Sequence, residues 1–523
     1  VPPVIAAATG SIALAAFSAG APMVVANAIV GVGVAGAVLS TTVSTAIAIG
    51  ASYAIAKLTA PALPKPSNGQ IEFKQAIPPR FFTYGGMRTS GPVLLLEKFT
   101  PGILFKITAF GTRPISSIQK FYLDGNETAL DGSGNIPIGA YRVAGADHGF
   151  LHTHLGAEDQ LADSELDDWP GWSANHRLRG IPYAYQQMWS GLAANFQEAF
   201  PHGDPTPEIV AGVNVYDPRR DPSHPAYGGS GAQDPDDPST WEYSDNQRLC
   251  VLDWLHWPEG YNKPWDRFDW ATWIPQINLA DQNVTLAAGG TEKRYRVATR
   301  VGYDEPRSRV LHRLLQAGDQ QLFVTASGLI GSRGGVWQAP TVTLPVEKFP
   351  EAFFTHGIGQ MERVNEFQLS CMLPQRDYVE FELADWVNAA DPEHAAGIIR
   401  RAPLELTQVP SNGQAQRLAK IYMSKRNPAW NGQVRTSFAG LNAIGEAAVN
   451  LSFDELDQPP GTFNGPFWVN GKIAFLPDKT GVTFPVASAD PAAYDWDEET
   501  EEQDIPALPT DTAMLRELRR EAA

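Results

Sequence analysis

The chain has 523 residues, 43% hydrophobic, 10% aromatic and 19% charged, with a formal net charge of -18. That length predicts roughly three or four domains of ~150 residues each, and the acidity excludes nucleic acid as the main partner, because a phosphate backbone calls for clustered Lys and Arg and no basic stripe is visible. Two cysteines, Cys250 and Cys371, exclude a disulfide framework, and each sits in an apolar run where a buried free thiol is expected.

In chain order, residues 1–60 read as an apolar helical segment. Val1 to Ala56 carry no charged side chain, and Lys57 is the first charge. Ser11 to Ala56 is long enough for one tilted span or two helices with a turn, at ~20 residues per span. Pro22 and the Gly31, Gly33, Gly36 cluster are breaks, and Gly33, Ala37 and Ser40 would let helices approach closely. The run is longer than a signal-peptide core and lacks a basic start. Two readings stand: the segment enters a bilayer, or it packs as an apolar bundle in a channel made by protein. Gly31-Val-Gly33-Val-Ala-Gly36 matches a dinucleotide fingerprint, but no acidic residue follows about 20 positions on and no strand–helix unit surrounds it, so the match is rejected.

A Pro-rich linker occupies 61–70. Short strand-like runs follow at Ile71–Gln75, Val93–Phe99, Gly102–Phe110 and Ile118–Leu123. Asp124-Gly125 and Asp131-Gly132 supply turns, so Phe121–Ile138 is predicted as a hairpin or meander. Tyr183–Trp189 and Glu208–Val215 continue as strands, and Pro218–Ser239 is a long polar loop. Helices are predicted at Asn246–Leu255, Trp270–Asp281 and Arg307–Gln316, the last with Val310, Leu311, Leu314 and Leu315 on one face. Phe323–Leu329 and Val336–Val342 are expected to pair across a Gly331–Gly335 turn.

From Val346 the pattern is mainly β, with one helix at Gln414–Arg426 that buries Ala415, Leu418, Ala419 and Tyr422 and turns Arg417, Lys420 and Lys425 outward. Asn464–Val486 is a strand series, Asp495–Asp504 an exposed acidic run, and Ala513–Ala522 a short charged helix or solvated tail. The blocks are therefore 71–345, 346–500 and an acidic tail at 501–523, in a fold that is mainly β with α+β insertions.

Chemistry-bearing patterns are weak. His148, His152, His154 and His176 lie close together, and His152 and His154, two apart, share a strand face as metal ligands do, with Asp147, Glu158 and Asp159 to complete a set. No Cys pair or His-x-x-x-His spacing accompanies them, and a polar surface strand is the reading taken. Ala157–Asp168 and the Asp124–Asp131 hairpin lack the alternating oxygens and Gly turn of a calcium loop, so a solvated face is expected. Ser230, within Gly228-Gly-Ser-Gly231, lacks a nucleophile elbow and reads as a flexible loop. A choice of paired carboxylates for glycan cleavage would be arbitrary. Trp254, Trp257, Trp265, Trp270 and Trp273 suggest a carbohydrate platform, or a core or subunit interface, of which the interface is favoured. No catalytic, cofactor-binding or metal-ligating residue is assigned.

Several segments carry a resemblance. They are His154-Leu-Gly-Ala-Glu-Asp-Gln160 followed by Trp172 and Gly180-Ile-Pro-Tyr-Ala184; Gly212-Val-Asn-Val-Tyr-Asp-Pro-Arg219; Asp237-Pro-Ser-Thr-Trp241-Glu-Tyr-Ser-Asp-Asn246 leading into Cys250-Val-Leu-Asp-Trp-Leu255; Gln414-Ala-Gln-Arg-Leu-Ala419; and Asp490-Pro-Ala-Ala-Tyr-Asp-Trp496. In number and order, over Ile71 to Asp504, they resemble the hub region of bacteriophage tail-tip proteins, the lambda-type tip attachment (host specificity) J family and its relatives in gene transfer agents. The resemblance implies tube-like β-barrel hub domains, two per chain, so that a homotrimer caps a hexameric tail tube. It implies a structural virion protein at the tip of a long non-contractile tail, with tail tube or distal tail proteins, the tape-measure protein and fibre or receptor-binding proteins as partners. Residues 1–60 would then plug the lumen or contact the host membrane. This sequence ends at Ala523, before the fibronectin-type and fibre domains of the family's best-known member, so receptor recognition is not carried over. The alternatives are a membrane-anchored glycan-binding surface protein and a tail-associated glycan hydrolase.

Overall fold

The computed structural model describes residues 79–506, apart from 99–101, 131–141, 144–145, 167–170, 190–199, 201–202, 227, 326, 346–347, 350, 360–361 and 453–463. The apolar segment 1–60 with its rejected fingerprint, the linker, strand 71–75, the Asp131-Gly132 turn and the tail helix 513–522 lie outside these residues. Among the described residues, no helix is long and apolar enough to cross a membrane.

Two four-stranded sheets open the described chain. In the first, Val93–Lys98, Ile103–Ala109, Tyr183–Trp189 and Gly149–His154 lie side by side, all antiparallel. In the second, the order is Met87–Thr89, Pro207–Ala211, Lys120–Leu123 and Asn126–Thr128, with Asp124-Gly125 turning the last pair. Alternate side chains on a strand point to opposite faces, and the sequence uses both. Leu151, Ala184 and Met188 of the first sheet meet Phe121, Leu123, Ile209 and Ala211 of the second in one core. Tyr183 and Tyr185, one position out of phase, join Phe105 and Ile107 on the other face, where Leu166 and Trp172 cover them.

Four helices form the centre: α1 (Gln247–His256), α2 (Trp270–Ala280), α3 (Arg307–Gln316) and α4 (Asn412–Arg426). Asn246 caps α1 by accepting the N–H groups of Arg248 and Leu249, at 3.0 and 3.3 Å, an arrangement that satisfies two otherwise orphaned donors. Ser411 caps α4 through the N–H of Gln414 at 3.2 Å. The core around these helices takes in Phe82, Leu252, Trp273, Leu314, Leu369, Cys371 and Leu418, so it crosses position 345.

Beyond it, a seven-stranded sheet runs Thr343–Pro345, Ala448–Ser452, Gly465–Val469, Val482–Ser488, Trp430–Thr436 and Glu351–His356, with Ala474–Phe475 on a side branch. Among the described strands its two ends do not pair with each other, so the sheet is an open half-barrel. None of the sheets closes into a barrel among the described strands.

Three expectations change. The hairpin strands are Gln320–Val324 and Ile330–Gly334, and Thr325–Leu329 makes the turn. Gly331 serves packing instead, because a Cβ there would stand 2.4 Å from the Phe323 ring. Arg417 points inward, is 4% exposed, and pairs with Glu292 at 2.8 Å. The acidic run at 495–504 is strapped across α4: Glu501 accepts Lys420 Nζ at 2.5 Å and Gln503 donates its N–H to Gln416 Oε1 at 2.9 Å.

Candidate functional site

The chemistry-bearing groups gather on the outer face of the first sheet. Strand Gly149–His154 places His152 opposite Tyr185 and His154 opposite Tyr183. The chain then leaves the sheet, and residues 155–166 fold back over this face. Gly156 turns it with φ +82, and a Cβ there would lie 2.8 Å from the nitrogen of Pro182, so the turn needs glycine. Gln160 locks the loop at both ends: its Oε1 accepts the N–H of Gly156 at 2.8 Å, and its Nε2 donates to the carbonyls of Arg177 and Leu178 at 2.8 and 3.0 Å.

The returning loop brings Asp163 onto the two histidines. Asp163 Oδ2 lies 2.8 Å from His154 Nε2 and 3.1 Å from His152 Nδ1, and Oδ1 accepts the N–H of Glu165 at 2.9 Å. The Asp163 side chain is fully buried, while those of His154 and His152 are 17% and 47% exposed. Burial alone would raise the Asp163 pKa. The hydrogen bonds from His154 and Glu165 and the field of His152 outweigh it and hold the carboxyl below its ordinary range. An ionised carboxylate only accepts, so the two ring nitrogens facing it carry the protons. His154 also stacks on Tyr183 at 4.5 Å and 15°.

Of the four sequence candidates, the structure unites two. His148 turns to the carbonyl of Trp189 at 3.0 Å, and His176 stacks on Trp172 at 5.0 Å. Glu158 and Asp159 are exposed, and the Asp147 side chain lies outside the described residues. Asp163, which sequence reasoning left in a solvated acidic face, is instead the buried member. No spacing in the sequence sets it apart from the neighbouring acids; only the fold-back of the chain brings it to the histidines.

A second polar assembly joins the sheets to the helices. Arg113 reaches Asp253 of α1 at 2.7 and 3.0 Å, and the Tyr84 hydroxyl donates to the same carboxylate. Burial would lower the Arg113 pKa, but the Asp253 charge raises it above the ordinary value, while burial pushes Tyr84 well up. Nearby, Arg248 is buried, forms no ion pair among the described residues, and donates to Gln247 Oε1 and the carbonyls of Gly318 and Gly334, at 2.7, 3.1 and 3.2 Å. Burial lowers its pKa to about 10.

The segments that carried the resemblance have specific work in this framework. Asp217 accepts from Arg219 within Gly212–Arg219, and Arg219 also reaches Asp281 at 2.8 Å. Asn246 caps α1. Gln414 donates to the carbonyls of Arg296 and Ala317 at 2.8 and 2.7 Å. Tyr494 donates to Asp319 at 2.9 Å, and Asp319 also takes Lys425 of α4 at 2.6 Å.

The remaining candidates behave as framework. Trp254 and Trp273 are 1% and 0% exposed and belong to the α1–α2 core, which overturns the interface reading for those two. Trp265 stacks on His256 at 3.7 Å, and Trp257 lies 3.8 Å beneath Arg113. In the Ser230 loop, the Ser230 N–H donates to the Arg219 carbonyl at 3.2 Å. Glu366 and Asp385 make a carboxylate pair clamped by Arg401, across the parallel strands Glu366–Met372 and Arg401–Leu406. Both cysteines are free and buried.

No family model matches the chain, and no curated protein does. Among solved structures, it is similar to a chain in the virion of a native gene transfer agent particle, with a TM-score of 0.54 and 15% identity over 80% of this chain and 86% of that one. At that identity the likeness shows a shared fold. The 43 kDa tail protein of prophage MuSo2 from Shewanella oneidensis and a tail protein from Neisseria meningitidis MC58 align over 79% of this chain and 99% and 97% of their own, at 9% and 8% identity. Their TM-scores of 0.28 carry no fold argument.

Proposed function

We propose that this chain is a structural virion protein of a phage-type tail: the trimeric hub at the tip of a long non-contractile tail. The observation that carries the reading is the fold shared over 80% of the chain with a component of a gene transfer agent virion. In this reading each chain contributes open, curved sheets, and three copies together close a tube with pseudo-sixfold symmetry that mates with the tail tube. The edge strand Glu351–His356 supports it, since an unpaired sheet edge is a template for pairing, and this one carries Phe353 at 61% exposure.

The mechanism is mechanical and assigns no catalytic residue. The buried pairs Arg113–Asp253 and Arg417–Glu292, with the half-buried Lys425–Asp319, tie both halves of the chain to one helical centre, so force on one block passes to the other. The hub closes the tube, meets distal tail and tape-measure proteins within, docks fibre or receptor-binding proteins without, and opens on adsorption. Residues 1–60 occupy the lumen as an apolar plug or enter the host membrane at delivery. Sedimentation of the full chain tests the assembly: a species of three chains is expected, and a monomer at every concentration would contradict the trimer.

A further inference from the structure

We propose that His152, His154 and Asp163 form a binding site for one divalent first-row transition-metal ion, zinc fitting best, which clasps residues 155–166 onto the first sheet. Three potential ligand atoms, two imidazole nitrogens and one carboxylate oxygen, lie within 4.8 Å of one another. Zinc takes nitrogen and carboxylate oxygen at roughly 2.0–2.2 Å in tetrahedral sites, which sets neighbouring donors about 3.3 Å apart. The present separations from Asp163 Oδ2 are 2.8 Å to His154 and 3.1 Å to His152. An ion between them would move Asp163 Oδ2 slightly outward and hold the two imidazole nitrogens, which lie within 4.8 Å of each other, at about 3.3 Å.

The donor set selects the ion. Calcium and magnesium require six or more oxygens, whereas imidazole with carboxylate suits zinc, cobalt, nickel or copper. Each imidazole becomes a ligand once the nitrogen facing the ion gives up its proton. The charges then sum to one positive unit, from a dication and the Asp163 carboxylate. Asp163 otherwise lacks a permanent counter-charge: its side chain is fully buried, and among the described residues no Lys or Arg forms an ion pair with it. Buried charges are normally paired or bind metal.

The surroundings fit. Asp163 Oδ1 is already oriented by the Glu165 N–H at 2.9 Å, the kind of outer contact that fixes a metal ligand. The hydroxyls of Tyr183 and Tyr185, on the same sheet face, are buried and have no hydrogen-bond partner among the described residues. His152, 47% exposed, leaves the fourth position open towards solvent, for water or a donor from a neighbouring protein.

Metal-free full-length chain titrated with zinc chloride by calorimetry tests the site. One saturable zinc per chain is expected, weakened at least about tenfold by His152→Ala and by Asp163→Asn and unchanged by His176→Ala. Zinc should also raise the thermal midpoint of the wild type and not that of His152→Ala. Because the His152 side chain is about half exposed, its variant reports even if Asp163→Asn misfolds. Absence of saturable binding, or binding that His152→Ala leaves intact, overturns the proposal.

Discussion

Arg113 and Asp253, 140 residues apart in sequence, meet as a bidentate pair at 2.7 and 3.0 Å, with their side chains 3% and 2% exposed. The pair links the loop after strand Ile103–Ala109 to α1. Replacing Arg113 with Met leaves the buried Asp253 carboxylate with the Tyr84 hydroxyl as its remaining side-chain partner among the described residues. Breaking a buried pair from one side costs about 3–5 kcal/mol. Urea unfolding of Arg113→Met should show a loss of that size. The double variant Arg113→Met with Asp253→Leu should lose less than the two single changes summed, since it removes both charges.

The two thiols should be silent in the native protein. Burial pushes Cys371 up to about 12 and Cys250 well above its ordinary value, so neither forms appreciable thiolate near neutral pH. Labelling with a thiol-reactive disulfide reagent should detect none in buffer and two in denaturant. Rapid native labelling would contradict the packing of α1 and strand Glu366–Met372.

Stability should fall on acidification in two stages. Burial lowers the His224 and His256 pKa values below 6.5. The unfolded chain therefore binds these protons more tightly, and the fold's advantage is full above 6.5 and is lost as pH drops through the folded values. Burial would raise the Asp221 and Asp391 carboxyls, but hydrogen bonds from Tyr216 and Ser223, and from the Glu393 and His394 N–H groups, hold both below 3.8. Their contribution is complete above 3.8 and is lost at still lower pH. Urea midpoints across this range should decline first below the ordinary histidine value. His224→Gln with His256→Gln should flatten that first stage, and a midpoint that rises on acidification would contradict it.

Phe353 and Phe475, 61% and 66% exposed, are among the large apolar groups left at the surface of the single chain. Changing either to Asp should alter folding stability by no more than about 0.5 kcal/mol, as surface changes do. Phe353→Asp, on the sheet edge, should nevertheless lower the trimer fraction by sedimentation. An unaltered trimer would remove this edge from the assembly interface.

Sequence periodicity located strands and helices well where one face is buried. Tyr183–Trp189 and Arg307–Gln316 fall where alternation and the 3.6-residue repeat predict them. It failed where a residue's partner is distant. Gly331 looked like a turn because its close approach to Phe323 is invisible in one dimension. Arg417 looked solvated because Glu292, its counter-charge, lies 125 residues away. Asp163 looked like one of many surface acids, since only the fold-back of residues 155–166 sets it on His152 and His154. The histidine pair itself was legible from its spacing of two on a strand. The third group was not.

The hub assignment is tested most directly by where the chain sits in a particle. Particles purified from the source culture, labelled with gold-conjugated antibody to this chain and viewed by electron microscopy, should carry label at one end of the tail alone. Unlabelled particles, with the protein recovered from cell envelopes instead, would contradict the account.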